Sequence, residues 1–164
     1  MSIAKKVIND YLTPEEFYSN MITTEGLKMN ISKQVVILSA TKNGDSVENT
    51  NFRTKTLRGV LGDLRLPFSE ATGVYKGQTE TSFVVVVTDN FDIDTLKGLA
   101  FKNFDQESIL VQDSNQEAYL IFNNGTTQNL GRLEQVSEEQ AKELDNYTIL
   151  NGNFYAVPKP SRIA

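Results

Sequence analysis

The sequence predicts one α+β domain over residues 1–164, with helices packed on a mixed, mostly antiparallel sheet. Two observations carry this prediction. The predicted elements run helix, strand, helix, two strands, helix, three strands, helix and two strands, which lacks the strict alternation of a doubly wound fold. Hydrophobic residues make up 39% of the chain, enough for one core at this length. No stretch rich in Gly, Ser or Pro divides the chain, so we expect a single domain.

The first third of the chain contains a helix start and a central strand. Thr13-Pro14-Glu15-Glu16 combines an N-cap residue, a proline at the first helical position and a glutamate at the third. This pattern predicts a helix from Pro14 to about Ile22. Gln34 to Ala40 is a short run of mostly β-branched residues without a helical stripe, which predicts a strand buried on both faces at the centre of the sheet.

The longest predicted helix runs from Glu48 to Leu66 and ends before Pro67. Apolar residues recur in it at three- and four-residue spacing, and we expect them to form its buried face: Phe52, Leu57, Val60, Leu61 and Leu64.

A hairpin and a second helix follow this segment. Strands from Glu70 to Tyr75 and from Thr79 to Thr88 flank a turn at Lys76-Gly77-Gln78. Asp92 is the predicted cap of a helix over Ile93 to Phe104.

The last third of the chain predicts short strands and one short helix. Ser137-Glu138-Glu139-Gln140 is a capping box that opens a helix to about Leu144. The strands form a meander and a closing hairpin, and they are Ser108–Gln112, Glu117–Phe122, Gln128–Glu134, Tyr147–Leu150 and Phe154–Val157.

The composition excludes several classes of chemistry, because the chain has no histidine, cysteine or tryptophan. Ser-His and Cys-His nucleophiles, zinc sites with nitrogen and sulfur ligands, and thiol redox are ruled out. Carboxylates, Lys, Arg and Tyr remain as reactive groups, and we expect no metal and no cofactor. The absence of cysteines, of a leader and of a long apolar run predicts a cytoplasmic protein without a membrane span.

The charge balance argues against nonspecific nucleic-acid binding. Sixteen basic and 21 acidic residues give a net charge of −5, which repels a phosphate backbone. One basic cluster stands against this background, and a solvated helix face explains it best. Its members are Arg53, Lys55, Arg58 and Arg65.

Two groups of polar residues are candidate sites. Glu80 and Ser82 share one face of a strand, opposite to that of Phe83. On an inner face Glu80 would have a raised pKa and could act as a catalytic acid or base, whereas the pattern alone favours a solvent-facing glutamate. The start of the long helix carries Asn49, Asn51 and Arg53, which could bind an anion, although Asn49 or Asn51 as a simple N-cap explains the same residues.

Several segments between Val35 and Phe122 resemble a family of small bacterial and phage proteins of unknown function. They are Ile37 to Thr41, Asn49 to Arg53, Leu57 with Leu61, the stretch Gly73-x-Tyr75-x-Gly77-x-x-Glu80-x-Ser82-Phe83, and Gln106. The resemblance implies a shared polar site and no particular reaction. That site comprises Asn51, Arg53, Tyr75, Glu80 and Gln106. Because several members are phage-borne, it also implies a task against a host factor.

The main functional expectation is a small, phage-encoded, noncatalytic protein that binds a host protein. The acidic surface favours a basic partner, such as a nucleic-acid-processing or defence enzyme, which the protein would inhibit or redirect as a counter-defence factor. The alternative is a binder or enzyme of a nucleotide or ADP-ribose, with Arg53 on a phosphate and Glu80 as acid or base. A virion component is a third possibility. The site predictions depend on the five polar residues meeting on one surface.

Overall fold

A computed structural model describes residues 34–158. The helix predicted from Pro14 to Ile22 lies outside this range. The described strands are β1 Gln34–Ser39, β2 Phe68–Tyr75, β3 Gln78–Val87, β4 Ser108–Gln112, β5 Glu117–Phe122, β6 Thr127–Arg132, β7 Glu134–Val136, β8 Asn146–Leu150 and β9 Asn153–Ala156. The described helices are α1 Val47–Leu64, α2 Asn90–Gly98, which continues into a π-helical turn over Leu99–Asn103, and α3 Glu138–Lys142.

All nine described strands join one sheet in the order β6-β5-β4-β1-β3-β2-β8-β9-β7, and each pairing is antiparallel. The strand predicted at Gln34 lies between β4 and β3, as expected for a central strand. The predictions of a single α+β domain and of a mostly antiparallel sheet are confirmed for the described residues.

The sheet curls into a barrel-like shape, which the sequence did not predict. Its two outer strands, β6 and β7, are separated in the chain by Leu133 alone. Opposite edges of a nine-stranded sheet can be joined by one residue only if the sheet bends round on itself. The prediction of a single strand over Gln128–Glu134 was therefore wrong, because β6 ends before Leu133 and β7 begins after it. Leu133 is 6% exposed and belongs to a hydrophobic cluster.

Two hydrophobic clusters lie on opposite faces of the sheet, as strand alternation requires. The first combines β1 and β3 residues such as Val36 and Phe83 with Leu57 and Leu61 of α1 and Leu96 of α2. This is the outer face, which faces the helices. The second is the inner cluster of the curled sheet, and it includes Val35, Ala71, Val84, Leu150 and Tyr155.

Helix α1 buries a narrower stripe than its apolar spacing predicted. Its buried residues are Thr54, Leu57 and Leu61, whereas Phe52 is 72% and Leu64 is 40% exposed. The prediction that Phe52 and Leu64 pack inward was therefore wrong. The helix also stops before Pro67, because Arg65 takes a left-handed conformation at φ 59° and its N–H donates to the Gly62 carbonyl.

The cap of α2 differs from the predicted one. Asp89, not Asp92, is the N-cap, and its side chain accepts a hydrogen bond from the Asp92 N–H. Asp92 lies in the first turn, where a carboxylate interacts favourably with the helix dipole.

The predicted hairpin turn after β2 and the predicted capping box of α3 are confirmed, whereas the N-cap of α1 is Ser46, so neither Asn49 nor Asn51 caps this helix as the sequence had suggested. The hairpin turns at Lys76-Gly77 and Asn151-Gly152 both have two consecutive residues with positive φ, as type I′ turns require. Ser137 and Gln140 form the reciprocal capping box of α3.

Within residues 34–158, none of the helices has the length and apolar character needed to cross a membrane.

Candidate functional site

The candidate site lies where β3 continues beyond the end of β1. The last residue of β1, Ser39, is paired with Ser82, so residues 79–81 of β3 have no partner in β1. The Ser39 hydroxyl donates to the Thr81 carbonyl at 2.8 Å and accepts the Thr41 N–H at 3.0 Å. These two bonds turn the chain away from the sheet and leave this end of β3 uncovered by β1.

Glu80 projects from this open end towards the inner face of the sheet. It is paired with Gly73 of β2, and directly paired residues share a face. A Cβ atom at Gly73 would lie 2.7 Å from the Ser82 Oγ and 3.4 Å from the Glu80 Cγ. The Glu80 and Ser82 side chains therefore lean over the space that a side chain at Gly73 would fill, while Phe83 packs in the outer core.

The Glu80 carboxylate is half-buried, and the part of the chain that the structure describes gives it no compensating partner. Across residues 34–158, no hydrogen bond or ion pair reaches its side chain. Burial raises the pKa of the Glu80 carboxyl above its ordinary value of 4.5. A carboxylate in such a place attracts a cation more strongly than one in bulk water.

Arg53 and Gln106 fix the chain segment that follows β1. Arg53 Nε donates to the Ala40 carbonyl at 2.8 Å, its Nη2 donates to the Phe104 carbonyl, and its guanidinium lies 5.6 Å from the Phe104 ring centroid. Gln106 Nε2 donates to the Thr41 and Phe104 carbonyls at 3.0 and 3.1 Å. Both side chains therefore stabilise the backbone beside the open end of β3.

The five predicted site residues do not meet at one point. Arg53 and Gln106 converge on the Phe104 carbonyl. Tyr75 and Glu80 share the inner face of the hairpin, where Tyr75 is 56% exposed. Asn51 is exposed on α1. The separation follows from strand alternation, which directs Glu80 to the face opposite the one that contacts α1.

A cleft of about 290 Å³ lies on the outer side of the same open end. Thr72 and Thr81 are directly paired, and with Thr79 they belong to the strand positions of the outer face. We call this feature the threonine cleft, and its lining residues are Thr41, Thr50, Thr72, Thr79, Glu80 and Thr81. Glu80 borders the cleft, but its carboxylate is directed to the other face. Sequence reasoning missed the cleft, although the spacing of Thr79 and Thr81 was a usable signal.

A comparison with protein-family models matches residues 36–158 to the S-adenosylmethionine lyase family. The chain belongs to the S-adenosylmethionine lyase family. The matched range contains Glu80, Arg53, Gln106 and all residues that line the threonine cleft. A search of curated proteins gave no significant match.

The basic cluster expected on this lyase-family chain is divided by the fold. Arg53 turns towards backbone carbonyls, and Arg58 pairs with Glu70 through two bonds of 2.8 and 2.7 Å. Lys55 on α1 and Arg65, the residue that follows this helix, stay exposed. Among residues 34–158, no three acidic side chains are grouped closely enough to hold a metal ion.

Replacing Glu80 by glutamine should stabilise the fold at neutral pH. The folded-state pKa of Glu80 is raised, so between pH 4.5 and that pKa the folded protein binds more protons than the unfolded chain. Stability is therefore lost as the pH rises through this window, and the loss persists above it. In urea unfolding, Glu80→Gln should be more stable than wild type at pH 7, and the difference should vanish below pH 4.5.

Glu107→Gln is the matched control, because Glu107 is exposed and has no ion pair among the described residues. Its unfolding curves should follow those of wild type at each pH. Equal stability of wild type and Glu80→Gln at pH 7 would show that burial of this carboxylate costs nothing.

Replacing Arg53 by methionine should destabilise the protein by about 1.5–3 kcal/mol, because charge-assisted hydrogen bonds to partly buried carbonyls are lost. Lys55→Met, an exposed change in the same helix, should stay within about 0.5 kcal/mol of wild type. Chemical denaturation of both variants checks this. If Lys55→Met lost as much stability as Arg53→Met, the role of Arg53 in fixing the backbone would be contradicted.

Proposed function

We propose that this chain is a lyase that cleaves S-adenosylmethionine, with Glu80 as its functional carboxylate. One observation carries the assignment of the site. Within the segment matched to the lyase family, Glu80 is a half-buried carboxylate that no described residue neutralises. Buried charges are normally paired, so an unpaired one is a functional candidate.

The chemistry of the substrate suits a chain without histidine or cysteine. S-adenosylmethionine carries a positively charged sulfonium, and breaking a carbon–sulfur bond releases a neutral thioether. Such a leaving group needs no proton from an acid, so neither a metal nor a thiol is required for its departure. Carboxylates suffice for this reaction class.

Glu80 places a negative charge close to the sulfonium of the bound substrate. In a partly dry site the ion–ion attraction is stronger than in water, which holds the reacting sulfur near the carboxylate. Two routes then break the bond without water. Either Glu80 removes a proton from the carbon next to the reacting one, or the carboxylate of the substrate itself displaces the sulfur and closes a lactone. On the first route Glu80 must be ionised to accept the proton, and on either route an ionised Glu80 holds the sulfonium in the site. Activity should therefore fall as the pH is lowered through the raised pKa.

The net charge of −5 supports the same reading, because an acidic protein attracts a cationic substrate over a distance. The nucleotide-binding alternative predicted from the sequence shares two features with this proposal, a ligand that contains a nucleoside and a functional role for Glu80. Its phosphate role for Arg53 has less support, since that guanidinium binds backbone carbonyls. The phage-encoded, host-binding protein stays a prediction.

The test is cleavage of S-adenosylmethionine by the purified full-length protein, followed by mass spectrometry of the products. Wild type should release the nucleoside thioether. Glu80→Gln should lower kcat by about 100-fold or more if Glu80 removes the proton, which is typical of losing a general base. Glu107→Gln should keep wild-type activity. In water labelled with ¹⁸O, the products should carry no label at early times.

Failure of folded wild type to consume S-adenosylmethionine between pH 5 and 9 would overturn the proposed function. Full activity in Glu80→Gln would remove Glu80 from it. The two routes are separated by the amino-acid product, which is unsaturated after proton removal and a lactone after internal displacement.

A further inference from the structure

The threonine cleft is lined by hydroxyl groups that have no hydrogen-bond partner within residues 34–158. Among the described residues, no hydrogen bond engages the hydroxyl groups of its five threonines, and the Thr41 Oγ1 is also shielded from water. Two of the other three described helical threonines bond within the protein, and the third, Thr54, does not. Thr56 and Thr95 donate to carbonyls four residues earlier at 2.8 and 2.9 Å, whereas Thr50 of α1 does not. An unpaired hydroxyl that lines a cleft is free to serve a ligand.

The open end of β3 adds main-chain groups to this cleft. Tyr75 and Gln78 flank the two-residue turn and form the hydrogen-bonded pair of the hairpin, so alternate residues direct their N–H and C=O groups away from β2. Thr79 is one of these residues. Because β1 ends at Ser39, the Thr79 main chain faces no described strand.

The chemistry of the lining selects a neutral, hydroxyl-bearing group. Threonine hydroxyls both donate and accept hydrogen bonds, and their methyl groups contact carbon atoms. The only charged residue that lines the cleft among the described residues is Glu80, whose carboxylate is on the other face. Among the described residues, a carboxylate group would find no opposite charge there, and an ammonium group would find only Glu80, whose carboxylate lies on the other face. A sugar diol matches both the polarity and the donor–acceptor pattern.

The size and position of the cleft fit one part of a larger substrate. Its volume of about 290 Å³ is at the lower limit of ligand sites, which span roughly 300–1,000 Å³. The cleft and Glu80 lie on two sides of the same end of β3, which β1 does not cover. A molecule that crosses this end can contact the threonines with one portion and the carboxylate with another.

We propose that the threonine cleft binds the ribose of the substrate nucleoside while the sulfonium lies near Glu80. This inference rests on the proposed function and assigns a specificity role to Thr50 and Thr72. It makes the protein selective for nucleoside sulfonium compounds over simple alkyl sulfonium compounds.

The test is binding of 5′-methylthioadenosine, a neutral nucleoside thioether, to the full-length protein by isothermal titration calorimetry. Thr50→Val and Thr72→Val keep the side-chain shape and lose the hydroxyl. Each should bind this probe about 5- to 10-fold more weakly than wild type, the effect of about one hydrogen bond. Thr127→Val, an exposed change on β6, is the matched control and should bind normally. Thr50→Ser, which keeps the hydroxyl, should recover most of the affinity.

A second measurement separates binding of the ribose from a general loss of structure. The 2′- and 3′-deoxy forms of the probe should bind wild type more weakly than the probe itself does. One of these deoxy forms should bind wild type and the valine variants equally well, because it lacks the hydroxyl that the threonine would contact. With S-adenosylmethionine as substrate, the valine variants should raise KM at nearly constant kcat, unlike Glu80→Gln. Thermal unfolding of each variant verifies the fold.

The outcomes distinguish this inference from the proposed function. Wild-type affinity in both valine variants, or no binding of the probe to wild type, overturns the ribose site even if the protein cleaves S-adenosylmethionine. Threonine-dependent binding without any cleavage supports the ribose site and overturns the lyase activity.

Discussion

The early end of β1 is the constraint on which the site depends. The Ser39 hydroxyl bonds both the Thr81 carbonyl and the Thr41 N–H, so the chain leaves the sheet while β3 continues. Arg53 and Gln106 hold the departing segment through main-chain carbonyls. Had β1 continued for three more pairs, it would have covered residues 79–81 of β3. The candidate functional surface therefore exists because β3 extends further than β1.

At this end of β3, none of the described residues compensates the charge of Glu80. Gly73 contributes by having no side chain, since a Cβ atom there would collide with Ser82 and contact Glu80. A half-buried carboxylate without donors is unfavourable for folding, and proteins retain such groups where function needs them. A sulfonium ligand would provide the missing positive charge. The stability cost and the proposed activity therefore share one physical cause.

Features set by a few neighbouring residues were predictable from the sequence, and features set by strand ends and register were not. Lys76-Gly77 and Ser137 with Gln140 specify a turn and a cap locally, and both are confirmed. Closure at Leu133 depends on which strands form the two edges. The outward position of Phe52 depends on how α1 faces the sheet. Glu80 was singled out because alternation places it beside Ser82, but the cleft required knowing where β1 stops.

The most direct test of the account is the pKa of the Glu80 carboxyl, measured by carbon-detected NMR titration with and without ligand. The free protein should show a pKa above the ordinary glutamate value. The dimethylsulfonium derivative of the nucleoside, which lacks the amino-acid chain, should lower that pKa because its cation favours the ionised carboxylate. The neutral thioether should not lower it. An ordinary pKa in the free protein, or the same response to both ligands, would contradict an uncompensated carboxylate that binds the sulfonium.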